Sequence, residues 1–118
     1  MNNIYTDLID ELNEVIIKMD RALYIYRTNA KLTKELNVEL PVSLKNKMAG
    51  LAAMSNICKK VAEYFTLKND VLFGDWVSQK DEPLIDEINL AINLITQYRA
   101  LRREGCVDDY FIPNELKG

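Results

Sequence analysis

Apolar residues recur along the first third of the chain at steps of three and four. Tyr5, Leu8, Leu12, Val15, Met19, Leu23, Tyr26 and Ala30 form one row, and Ile9 and Ile16 widen it. This is the period of one helical face, and it predicts a helix from about Ile4 to Leu36. Charge is ordered along it: Asp7, Asp10, Glu11 and Glu14 come early, Arg27, Lys31 and Lys34 late. That order opposes the helix dipole favourably at both ends. Pro41 lacks an amide proton and keeps Leu40 out of helical geometry, so the chain breaks there.

The rhythm resumes in LKNKMAGLAAMSNICKKVAEYF, Leu44 to Phe65, opened by Ser43 or Pro41. One row is Leu44, Met48, Leu51, Ser55, Cys58, Ala62 and Phe65; a second is Gly50, Met54, Ile57, Val61 and Tyr64. Two apolar rows leave only a narrow polar face, so this helix is predicted to be central and covered on more than one side. Small residues lie along its middle: Ala49, Gly50, Ala52, Ala53 and Ser55. They let a neighbouring helix come close. Packing inside one bundle is the first use for them, and a self-association seam through Ala49, Gly50 and Ala53 is the other.

A third helix is predicted over Glu82–Arg103, with Asp81 or Glu82 as its N-cap and Pro83 in the first turn. Leu84, Ile88, Ala91, Ile95 and Tyr98 make its seam, beside Ile85 and Ile92. Gly105 is a natural stop. Between helices two and three, Thr66 to Lys80 reads as an ordered connection with one short helical turn. It holds Trp76 with Val71, Leu72 and Phe73, and Gly74 interrupts any longer helix. After Gly105, the apolar residues Val107, Tyr110, Phe111 and Ile112 predict a tail that docks back on the body. Pro113 prevents a long further helix.

The fold class expected is all-α. It is an antiparallel bundle of three long helices with a docked C-terminal tail, completed to four helices either within the chain or by oligomerisation. The 118 residues predict one domain, residues 1–118. At 48% hydrophobic and 28% charged, the chain has enough apolar content for a core rather than disorder. Net charge is -3, which gives no general pull toward nucleic acid. No apolar run approaches the roughly 18 residues a membrane span needs. The first residues, MNNIYTDLIDEL, lack a basic start and a continuous apolar core, so no signal peptide is expected and the place of action is expected to be the cytoplasm.

There is no histidine. That removes Ser-His-Asp and Cys-His nucleophile systems, imidazole zinc sites and Glu-x-x-His di-iron sites. Cys58 and Cys106 sit far apart and are expected as free thiols, Cys58 inert in the core and Cys106 unactivated at a helix C-terminus. No cofactor or metal is expected. The acidic residues offer the sharpest rival. Asp7, Asp10, Glu11 and Glu14 share a helical face, and Glu82, Asp86 and Glu87 form a second cluster. Facing carboxylates from two helices bind magnesium in all-helical nucleotide pyrophosphohydrolases. The plainer reading is a solvated acidic face at a helix start. Arg99, Arg102 and Arg103 are a candidate phosphate contact, or simply the cationic end of a helix. Trp76 and Phe73 are a candidate patch for a protein partner, since tryptophan is enriched at interface hot spots.

The stretch AMSNICKKVAEYF, Ala53–Phe65, resembles the second-helix signature A-x-x-S-I-x-x-N-I-A-E-G-F of the bacterial four-helix bundle proteins encoded in ribosomal intervening sequences. INLAINLITQY, Ile88–Tyr98, is similar to their third-helix pattern L-N-I-A-L-G-S-L-x-E-L. Pro41-Val42-Ser43 resembles the P-x-S entry into helix two of the related accessory variability proteins of retroelements. The resemblance covers roughly Ile4 to Gly105. It implies an oligomeric helical scaffold without catalysis that binds a protein or nucleic acid. The function expected is therefore a non-catalytic, self-associating binding protein. The alternatives are an acidic inhibitor or adaptor on a larger nucleic-acid-handling protein, a nucleic-acid-binding accessory protein, and a magnesium-dependent pyrophosphohydrolase.

Overall fold

The computed structural model describes residues 4–69, 82–106 and 109–117. Among these the secondary structure is three α-helices and one short 3-10 turn, with no strand: α1 (Ile4–Glu35), α2 (Val42–Asn69), α3 (Ile85–Arg103) and the turn Asn114–Leu116. The helices form where the three-four rhythm places them, and each ends for a local reason. At the end of α1, Asn37 takes a left-handed conformation (φ 56). The Val38 amide then reaches the Thr33 carbonyl and the Asn37 amide reaches Lys34. Gly105 (φ 72) closes α3 in the same way, with the Cys106 amide on Leu101 and its own amide on Arg102. Both are Schellman stops, which satisfy carbonyls the helix itself leaves unpaired.

Two expected boundaries are corrected. α2 continues through Thr66–Asn69 instead of ending at Phe65. The Thr66 hydroxyl turns back to the Ala62 carbonyl, so this polar residue stays inside the helix. α3 begins at Ile85 behind Leu84, so Glu82 is not its cap. Glu87 supplies the missing acceptor by taking the Leu84 amide at 2.9 Å. Glu82 instead accepts the Tyr64 hydroxyl. The rest of the expected Thr66–Lys80 connection, with Phe73 and Trp76, and Val107 of the tail lie outside the described residues.

α1 and α2 pack antiparallel: Tyr5 meets Phe65, and Asp20 meets Ser55. α3 runs back along α2, with Glu82 at Tyr64 and Glu87 at Lys60. The core lies between them. Leu12, Val15 and Met19 of α1, Leu51, Cys58 and Val61 of α2, and Ala91 and Leu94 of α3 are wholly buried. A buried leucine or methionine of this kind contributes roughly 1.5–3 kcal/mol.

The tail docks, and it touches every helix. The Phe111 amide donates to the Lys18 carbonyl of α1 at 3.1 Å. The Phe111 ring, 3% exposed, stands against Tyr98 of α3. The Asn114 amide donates to Gln97 Oε1, and Gln97 returns a hydrogen bond to Glu115. Leu116 lies on Gly50 of α2, where an added Cβ would collide with it. α2 is covered on more than one side, as its two apolar rows predict. Its rows are taken up inside the chain, and Val42, its first residue, is its one strongly exposed large apolar side chain among the described residues.

Candidate interaction surface

Two of the three arginines at the end of α3 pair with carboxylates of α1. Arg99 Nη2 pairs with Glu11 Oε2 at 2.5 Å, and Arg102 Nη1 stands 3.7 Å from Glu14 Oε2. Beside them the Tyr98 hydroxyl donates to Glu14 Oε1 at 2.8 Å. Burial, and then the bond to a carboxylate, push the Tyr98 phenol up to about 12. The two halves of the expected chemistry, acid on α1 and base on α3, thus neutralise each other. Arg103 is exposed at the end of the row. A broad hollow lies along Thr96, Arg99, Arg102 and Arg103, but two of its three cations already have carboxylate partners.

The acidic clusters are not brought together. Glu14 sits with Tyr98 and Arg102 near the end of α3, whereas Glu87 sits at its start, bonded to Lys60 Nζ at 3.0 Å. The Leu84 amide, then Lys60, hold the Glu87 carboxyl below the usual range. Asp20, between the clusters in the chain, accepts the buried Ser55 hydroxyl and pairs with Lys59 at 3.1 Å. Among the described residues no three acidic or cysteine side chains gather in metal-binding geometry. Both cysteines are free thiols, Cys58 buried and Cys106 exposed. Of the three small residues considered for self-association, Gly50 carries Leu116, while Ala49 and Ala53 are exposed.

What the sequence reading missed is the back of α1. Ile17, Tyr24, Ile25 and Leu32 are exposed, at 53%, 72%, 42% and 53%. At roughly 100° per residue they fall on one side of the helix, opposite the Leu12–Met19–Leu23 row. A signal was present in the seven-residue spacings Ile17 to Tyr24 and Ile25 to Leu32, but the longer core row dominated the pattern. A groove of about 640 Å³ runs along this side, lined by Ile17, Asp20, Arg21, Tyr24, Ile25 and Asp109. One wall is the tail, held there by Arg21 Nη1 donating to the Asp109 carbonyl at 3.3 Å. A second exposed group, Leu84, Ile85 and Ile92, lies at the start of α3. No helix among the described residues is long and apolar enough to cross a membrane.

No family model matches the chain, and neither a curated protein nor a solved structure matches it.

Proposed function

We propose that this chain is a non-catalytic helical binding protein that works through protein–protein contacts, its own copies included. The observation that carries the reading is the exposed apolar side of α1, set along a groove and rimmed by charge. Such a side has no role in the chain's own core, and contiguous exposed apolar surface marks a contact site. The net charge of -3 suits a basic protein as a further partner. An exposed free thiol at Cys106 suits the reducing cytoplasm. The likeness of Ala53–Phe65 and Ile88–Tyr98 to intervening-sequence bundle proteins agrees with a scaffold role.

Nucleic acid is the weaker partner class because Arg99 and Arg102 are already spent on Glu11 and Glu14. Phosphate contact there competes with both pairs. The test is capture on the immobilised protein at rising salt, with and without nuclease. A protein retained after nuclease and at high salt is the expected result. Nucleic acid that elutes steeply with salt overturns it. Magnesium-dependent turnover of a nucleotide panel that disappears in Glu14→Gln also overturns it.

A further inference from the structure

The exposed side of α1 has a symmetry that names its occupant. Thr6, Asp10, Asn13, Ile17, Tyr24, Thr28, Lys31 and Glu35 run along it as a single row, all exposed. Apart from Glu35 at its end, its charge changes sign along its length. Asp7 and Asp10 lie toward the N-terminus, Arg27, Lys31 and Lys34 toward the C-terminus, and none of the five joins the four ion pairs among the described residues. The apolar residues Ile17 and Tyr24 stand between these ends. A parallel copy would set Asp10 on Asp10 and Lys31 on Lys31. An antiparallel copy sets opposite charges together.

Rested on the protein-contact reading above, we propose that a second copy of this chain docks antiparallel on the back of α1, about a two-fold axis passing between Asp20 and Arg21. In this register, contacting residues carry numbers that sum to 41. Asp10 meets Lys31, Asn13 meets Thr28, Ile17 meets Tyr24, and Thr6 meets Glu35. Sliding by one residue either way brings Asp20 onto Asp20 or Arg21 onto Arg21, so the register is specified by charge as well as by shape. The groove agrees with it. Four of its lining residues, Ile17, Asp20, Arg21 and Tyr24, pair about the same axis, so the groove lies at the centre of the contact. The Tyr24 ring of each copy enters the groove of the other over Ile17. This is an isologous contact, which closes at two copies and does not propagate.

The test is sedimentation equilibrium and light scattering of the full chain, with circular dichroism to show that each variant is folded. A concentration-dependent dimer is expected for the wild type. Tyr24→Glu is expected to make it monomeric. Asp10→Lys is expected to weaken the dimer at least tenfold, and Asp10→Lys combined with Lys31→Asp to restore it. In a Cys106→Ser background, Asp10→Cys and Lys31→Cys copies are expected to cross-link when mixed, and neither with itself. A strict monomer, a dimer indifferent to Tyr24→Glu, or self-cross-linking of Asp10→Cys copies overturns the proposal. A monomer whose α1 side is covered by a different protein also overturns it, while leaving the protein-contact reading standing.

Discussion

Phe111 stands nearly perpendicular to Tyr98, ring centroids 5.7 Å apart and planes at 74°. This edge-to-face pair ties an irregular tail to the third helix. Phe111 is 3% exposed, so Phe111→Ala removes a full aromatic side chain from a packed site. The expected loss is roughly 3–5 kcal/mol in urea unfolding. A change under about 1 kcal/mol would show that the tail adds nothing to the core.

Gly50 is a helix-interior glycine kept small by Leu116. Gly50→Ala gains roughly 1 kcal/mol of helix propensity. In the wild type that gain is expected to be offset, because the new methyl displaces Leu116. In a Leu116→Ala background the gain should appear in full. A double-mutant cycle measures the difference, and strict additivity would remove the contact from the account.

Burial alone pushes the Cys58 thiol up to about 12, whereas Cys106 is exposed. An aromatic disulfide reagent at neutral pH is therefore expected to label one thiol at once in the native protein. The second should follow only at the rate of unfolding, and Cys106→Ser should abolish the fast phase. Fast labelling of two thiols would place Cys58 outside the core.

Tyr98 gives the stability a pH dependence of known sign. The folded state holds the phenol proton up to about 12, while an unfolded tyrosine releases it near 10. The folded form binds more protons between these values, so stability is intact below 10 and falls as pH rises toward 12. Cys58 acts in the same direction from about 9 upward. Tyr98→Phe is expected to flatten the tyrosine share of the decline. It also costs roughly 0.5–1.5 kcal/mol at neutral pH, the net worth of one hydrogen bond, because the half-exposed Glu14 can turn to water instead. An identical alkaline slope in the variant would contradict the assignment.

The helices were legible because one periodicity dominates each of them. Leu12, Val15, Met19 and Leu23 lie on the row the spacing marks, and all are buried. The α2 boundary was missed because Thr66 reads as a helix-ending residue until its hydroxyl is seen on Ala62. The start of α3 was displaced because Asp81, Glu82 and Pro83 look like a cap, while the work falls to Glu87 reaching back. Docking of the tail was legible from Phe111 and Ile112, but its partners were not. Lys18, Gln97 and Gly50 carry no local mark of a contact so distant in sequence. Glu11 and Arg99 show the same limit. Each was read as an end-of-helix charge, and only the crossing of α1 and α3 makes them a pair. Phe73 and Trp76 lie outside the described residues.

The tail that clamps three helices also bears on the order of folding. Arg21 and the Asp109 carbonyl stand 88 residues apart, and Tyr98 and Glu14 stand 84 apart. Helical hairpins close early because their contacts are local, whereas such distant contacts carry a larger loop-closure cost. The ties between the tail and α1 are therefore expected to close late, as a latch, so that Phe111→Ala speeds unfolding and leaves the folding rate nearly unchanged. A latch of this kind leaves the folding rate almost unchanged and slows escape from the folded state, so the chain gains lifetime rather than speed from its last residues.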